Sequence, residues 1–319
     1  MKIDFDPKKN TSKTDYWLGQ FSRIHAFWVI YKIVKNWQDV LLFRFGLKKQ
    51  FTIVLRNGLK AEINNLQDYF DFWNKEQIQM ILFKQAGLEN RMEIDKSKKV
   101  IKFKFAHKDI FLVFDSFRQL SSTIGLIKEQ FIKGQYNWLN VKDKDVIDIG
   151  ANIGDTAIYF ALKGAKHIYA FEPYPYSYKI ALKNIKLNKL EDKITLLNEG
   201  CAGKESSIQI DPSYKSMGDT SLKMFNEGRR IKITTLKNIT KQFDIKYPAI
   251  LKIDCEGCEY DVLLEARDSD LRKFEQIELE YHYGYLNLKE KLEKAGFRVA
   301  RTIPKNYLGL IYATRKDMH

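Results

Sequence analysis

With 319 residues, 45% hydrophobic and 29% charged, the chain has the length of one large domain plus an extension, or of two domains, and its composition excludes wholesale disorder. Three cysteines, Cys201, Cys255 and Cys258, are too few for a disulfide scaffold, and an odd number suits a reducing compartment, so a cytoplasmic location is expected. The net charge of +14 is uneven: residues 1–140 hold 24 basic against 14 acidic residues, which suits an anionic partner (nucleic acid, lipid or glycan) and equally describes a solvated lysine-rich surface.

The opening MKIDFDPKKN is polar and lacks the basic-then-apolar order of a secretory signal. Residues 1 to about 45 carry aromatic and aliphatic side chains at helical spacing. Their most apolar run, IHAFWVIYKIVKNWQDVLLF, is interrupted by Lys32, Lys35 and Asp39, which rules out a spanning helix of roughly 18 apolar residues. An amphipathic helix packed on a core is favoured over one lying on a membrane. Phe51 to Ile63 reads as a hairpin about Asn57-Gly58. Helical spacing returns in YFDFWNKEQIQMILFKQAG, ending at Gly87, and Val100 to Phe114 alternates apolar with basic residues as a half-buried hairpin does.

From Val141 short apolar runs (DVIDIG, HIYAFEP, ITLLNEG, AILKIDCEG, QIELEYH) alternate with helical patterns at Ile153–Leu162, Tyr176–Asn188, Tyr260–Ala266 and Leu286–Ala295. Crossover helices of this kind imply a parallel sheet covered on both faces. The last two runs, FRVARTI and GLIYATR, are joined by too few residues for a crossover and must pair antiparallel. The expected organisation is an α+β extension over 1–130, capping a cleft and selecting the acceptor, followed by an α/β domain over 131–319.

In such a sheet a ligand sits beyond the carboxyl ends of the strands. The first strand ends at Asp148, and the turn that follows reads G-A-N-I-G from Gly150 to Gly154. Its glycines admit close backbone approach, and the helix start offers free N–H groups to an anion. Asn152 stands where a dinucleotide turn has its second glycine, so a compact carboxylate fits better than a diphosphate. Asp148 is suited to an ammonium, and Glu172, at the end of the second strand, to the two hydroxyls of a ribose. A ligand with an amino acid at one end and a ribose at the other is S-adenosylmethionine.

VIDIGANIGDTAIYFALKGA, YAFEPYP, NEGCAGKES, LKIDCEGCEYDVL and IELEYH together resemble the FkbM-type S-adenosylmethionine-dependent methyltransferases over roughly residues 134–315. The resemblance implies a Rossmann-like class I methyltransferase fold, a mostly parallel seven-stranded sheet with an antiparallel last strand. It places Asp148, Gly150, Asn152, Gly154 and Thr156 on the methionine-binding turn and Glu172 on the ribose. Asp155 matches the motif and alternatively caps the helix; Asn198 and Glu199 fall where adenine is met; Tyr136 either covers the cofactor or belongs to the core. Relatives commonly lack both cysteines of C-E-G-C, which argues against a redox or zinc site there; no metal is assigned, although the carboxylates after the fourth and fifth strands could hold a divalent cation that orients a diol, which nothing in their spacing demands.

Methyl transfer needs an aligned nucleophile and a group to take its proton. Asp254 and Glu256 after the fourth strand, and Glu280 and His282 after the fifth, project from the right edge, with Glu256 or His282 favoured as base and Asp254 near the sulfonium. The resemblance implies O-methylation of a hydroxyl-bearing metabolite, sugar or glycan, anionic or lipid-linked acceptors suiting the basic front, with peripheral membrane contact left open. A nucleic-acid methyltransferase is the alternative; D-C-E-G stands where base-amine enzymes carry N-P-P-[FY], which disfavours it. A non-catalytic cofactor-binding protein with a membrane- or partner-binding front is the third reading.

Overall fold

The structure, a computed structural model, describes residues 6–12, 14–15, 30–75, 78, 81, 84, 87–88, 90–214, 225, 227–305 and 307–316. The chain forms two compact units, Leu18–Glu93 on the one hand and Met1–Trp17 with Ile94–His319 on the other.

In the smaller unit α1 (Trp37–Arg44) precedes an antiparallel hairpin of β1 (Phe51–Val54) and β2 (Lys60–Ile63), followed by α2 (Leu66–Asn74). The expected turn lies between the strands, with Gly58 at φ 91°. Asn65 caps α2 by accepting the Asp68 amide, and Asn36 ties α1 to β1 through the Thr52 carbonyl and the Val54 amide. Val34, Val40, Ile53, Leu55, Ile63 and Phe72 form its core. Residues 1–5, 13 and 16–29 of the helical segment expected over 1–45, and 76–77, 79–80, 82–83 and 85–86 of the one ending at Gly87, lie outside the described residues.

After β3 (Met92–Asp95), β4 (Val100–Phe105) and β5 (Lys108–Val113) make the second expected hairpin, turning through Ala106 and His107 at positive φ. This hairpin packs into the larger unit: Asn184 and Asn188 accept the Val113 and Phe111 amides with their side chains. Residues 94–130 therefore belong structurally with the sheet that follows them, and the division falls near residue 93 where the sequence suggests one near 130. Next come α3 (Phe117–Ile127) and a π-helical turn over Lys128–Ile132.

The elements that follow are β6 (Asp145–Ile149), α4 (Asp155–Leu162), β7 (His167–Phe171), α5 (Pro175–Leu187), β8 (Ile194–Leu197), β9 (Gly200–Cys201), β10 (Ser206–Ile210), β11 (Arg229–Thr234), α6 (Leu236–Gln242), β12 (Ala249–Ile253), α7 (Cys258–Glu265), α8 (Asp268–Leu271), β13 (Phe274–Tyr281), α9 (Leu286–Lys294), β14 (Phe297–Arg301) and β15 (Gly309–Arg315). Seven of the strands form one sheet in the order β14-β15-β13-β12-β6-β7-β8, all parallel except β15, which runs antiparallel to both its neighbours. This is the Rossmann-like arrangement expected. Its central strands are buried along their length because helices cover both faces. The order reverses between β6 and β12, opening a crevice at their carboxyl ends.

A small second sheet, β10-β11-β9, is inserted between β8 and β12. The sequence reading does not contain β10 or β11, whose half-exposed SSIQI and RRIKIT lack the long apolar runs of the main sheet. No helix among the described residues is long and apolar enough to cross a membrane.

Candidate active site

At the end of β6, Gly150 takes φ 81°, and a Cβ placed there would lie 1.8 Å from the Asp254 carbonyl oxygen. Only glycine lets this turn pass so close to the end of β12. Asn152 (φ 47°) and Gly154 (φ 80°) are also left-handed, and Gly154 caps α4. The turn is thus wound by left-handed conformations at three alternate residues, which brings the chain to the free backbone N–H groups at the start of the helix.

Asp148 is fully buried, and its carboxylate is already engaged: Lys252 Nζ lies 2.9 Å from Oδ1, and Thr156 Oγ1 donates to Oδ2 at 2.5 Å. Lys252 also donates to the Gly150 carbonyl at 2.7 Å. Burial works against its charge, but Asp148 and Asp254 offset this and hold the ammonium above its ordinary value. The expectation of Asp148 gripping an ammonium meets an occupied carboxylate; here the residue orders the turn through Thr156 and Lys252. Lys252 is absent from the sequence reading, and its one signal is a lone lysine in an otherwise apolar AILKI.

Glu172 sits 5% exposed beside the same turn. Its Oε2 accepts the Asn152 amide at 2.8 Å and its Oε1 the Tyr174 amide at 2.9 Å. Burial pushes its pKa up to about 8. Asp155, 2% exposed in the first turn of α4, is pushed up to about 7 for the same reason, and its Oδ2 has no partner. Asn198 donates to the Glu172 and Pro173 carbonyls, leaving its own buried Oδ1 unpartnered. Glu199 turns away from the turn to pair with Lys232 at 3.2 Å. Tyr136 is buried edge-on against Phe160, its hydroxyl without a hydrogen bond.

The four residues assigned to chemistry lie across the crevice. His282, at the end of β13, faces Glu256 Oε2 with Nε2 at 3.0 Å and Glu259 Oε1 with Nδ1 at 2.8 Å. Burial lowers its pKa, yet the two carboxylates more than offset this and raise it to about 11. Glu259, fully buried, is fixed by the Gly257 amide at 2.8 Å. Its role as support for His282 is not legible in the sequence, where it reads as a helix start. Asp254 and Glu280 are both raised, Asp254 by burial and Glu280 to about 8 by burial and then by Asp254. Glu256 is held at φ 57° in the four-residue loop closed by Cys255 and Cys258. The two cysteines are joined in a disulfide, a pairing the sequence does not announce; their Cα atoms, 5.5 Å apart, are within bridging range. Cys201 is free and buried.

Unpartnered buried polar atoms on Tyr136, Asp155 and Asn198, beside a turn of left-handed residues, suit a polar ligand along this edge. Glu172 retains carboxylate lone pairs beyond the two amides it accepts, as recognition of a diol requires. These residues fit an amino-acid–nucleoside ligand.

Residues 148–299 match the methyltransferase FkbM domain. Over 68 residues the chain is 48% identical to the ribosomal protein L11 methyltransferase of Carboxydothermus hydrogenoformans, covering 21% of this chain and 22% of that protein. The hexuronic acid methyltransferase AglP of Haloferax volcanii is 26% identical over 145 residues, 45% of this chain and 58% of its own length. A solved structure of a methyltransferase FkbM from Methylobacillus flagellatus KT overlaps with a TM-score of 0.40 at 15% identity, covering 63% of this chain and 56% of that one. The chain spans 19–41% of the length of the first curated relatives it matches.

Proposed function

We propose that this chain, whose residues 148–299 match the methyltransferase FkbM domain, transfers a methyl group from S-adenosylmethionine to a hydroxyl of a sugar, glycan or related metabolite. The observation that carries this reading is the joining of the Gly150–Gly154 turn to Glu172, through the Asn152 amide, directly across the crevice from the acids after β12 and β13. Similarity to a hexuronic acid methyltransferase supports an acceptor of the sugar class.

When bound, S-adenosylmethionine supplies a methyl group already activated on a sulfonium sulfur. Glu172 would accept its ribose hydroxyls, and the free N–H groups at the start of α4 would meet its carboxylate. Asp148 keeps that turn in shape through Lys252 and Thr156. Asn198 stands at the adenine side, held against the Glu172 and Pro173 carbonyls. Both ring nitrogens of His282 face carboxylates that raise its pKa to about 11, so it does not serve as the base. Glu280 is therefore the group assigned to take the hydroxyl proton as the new carbon–oxygen bond forms. Nucleic-acid methylation is the second reading, favoured by the net charge of +14.

Transfer of labelled methyl from S-adenosylmethionine to separate pools of glycans, lipid-linked sugars and RNA tests this reading. Label entering a glycan at an alkali-stable ether linkage is the expected result. Label confined to RNA would move the protein to the second reading, and no label in any pool would remove the proposed activity.

A further inference from the structure

The donors of Asp254, Glu256 and His282 all lie within 4.8 Å of one another, on two adjacent strand ends and with His282 buried. Ligands bound to a divalent ion at about 2.0–2.2 Å occupy neighbouring vertices about 3 Å apart. His282 Nε2 and Glu256 Oε2, separated by 3.0 Å, already have that spacing.

Glu256 Oε2 and His282 Nε2 meet as an ion pair, so a cation binding between them replaces the imidazole proton. Two further observations, a buried unpartnered hydroxyl and a backing carboxylate, point to a ligand between these groups. The Tyr136 hydroxyl is unpartnered, in a side chain only 2% exposed and within reach of the charges of Asp254, Glu278 and Glu280. His282 is prepared as a ligand from behind: fully buried Glu259 holds Nδ1 at 2.8 Å and is itself pinned by the Gly257 amide. A carboxylate on the distal nitrogen fixes the tautomer and aims the other nitrogen, the arrangement that supports imidazoles bound to metals.

We propose that Asp254, Glu256 and His282 bind one divalent cation of the Mn2+ class, with Glu259 as the positioning residue for His282. Two carboxylates and one imidazole suit such an ion, and with Cys255 and Cys258 joined no thiolate competes for it. Three protein ligands leave coordination positions open. On the transferase reading above, on which this part alone rests, they take the acceptor hydroxyl with a neighbouring oxygen, lowering the hydroxyl pKa and aligning it for attack. The cation thus selects acceptors with two adjacent oxygens, a diol or a hydroxy acid.

Chelator-treated full-length protein is titrated with Mn2+ alone, without cofactor or acceptor, by calorimetry and by loss of the free-ion electron paramagnetic resonance signal. One ion per chain is expected, with nitrogen coupling from the imidazole in the bound spectrum. His282→Ala should abolish that coupling and Glu256→Gln, at a partly exposed site, should weaken binding at least about tenfold. Glu259→Gln should weaken it about 10–100-fold, as loss of an outer support does. No binding by wild-type protein up to about 1 mM Mn2+, or binding whose affinity and spectrum survive both ligand substitutions, overturns the proposal. Full methyl transfer in excess chelator would sink the cation's catalytic role alone, whereas stoichiometric Mn2+ binding without transfer would sink the transferase reading and keep the site.

Discussion

Glu172 Oε2 accepts the Asn152 amide at 2.8 Å, so the acid ending β7 and the turn leaving β6 are one connected structure. The two places assigned to opposite ends of the cofactor are therefore in mutual register before any ligand arrives. Such preorganisation lowers the ordering cost of binding.

The same pair makes affinity depend on pH. Burial holds Glu172 at about 8, above its ordinary 4.5; the Tyr174 and Asn152 amides and Lys252 favour its charge, and Asp148 opposes it. A diol is better accepted by the ionised form. Affinity for S-adenosylmethionine should rise between pH 6 and 8, by up to about tenfold per unit, and level off above. Calorimetry across this range should give a flat, weaker profile for Glu172→Gln; an unchanged wild-type affinity would remove the ribose assignment.

Stability should move the opposite way. Asp155 and Glu172 have folded pKa values of about 7 and about 8, above their values of 3.8 and 4.5 in the unfolded chain. The folded state holds more protons in that window, so the stability these two groups contribute is full below about pH 4 and is lost as pH rises through 7 to 8, at up to about 1.4 kcal/mol per pH unit for each group. Urea unfolding of Asp155→Asn should show a shallower decline with pH than wild type.

Lys252 and Asp148 form an ion pair with almost no solvent access. Removing one partner leaves the other charge buried alone, so Lys252→Met should cost about 3–5 kcal/mol. Adding Asp148→Asn to it should recover part of the loss. Denaturant midpoints of the two single and the double variants measure this, and additivity would show that the pair is uncoupled.

Gly150→Ala combines φ 81° with a methyl 1.8 Å from the Asp254 carbonyl oxygen. The turn must move or the end of β12 must give way. We expect a loss of about 1–3 kcal/mol from the backbone conformation alone, with cofactor affinity lost along with it. A variant that kept wild-type melting temperature and affinity would contradict the close approach.

Glu280→Gln should retain cofactor binding and lose about 10²–10⁴-fold in kcat. Equal loss in KM with an intact kcat would instead make Glu280 a binding group, and full turnover would send the search for the base back to Glu256.

Local patterns were enough to reveal most of the sheet. The alternation of apolar runs with helical spacing, and the short link before GLIYATR, dictate strand direction because a few residues cannot cross over a sheet. The Gly150–Gly154 turn and the acids at strand ends were legible for a similar reason: their role depends on position along one element. What the sequence alone left hidden has partners far along the chain. Lys252 meets Asp148, 104 positions earlier, and Glu259 meets His282, 23 positions later. Pairing of Cys255 with Cys258 and the β10–β11 insertion were also decided by the fold. A buried charge has no local signature, since only the assembled interior determines whether its desolvation is offset by a partner. Sequence therefore determined the scaffold and the edge where chemistry sits, while tertiary structure decided which charges there are already spoken for and which remain open to a ligand.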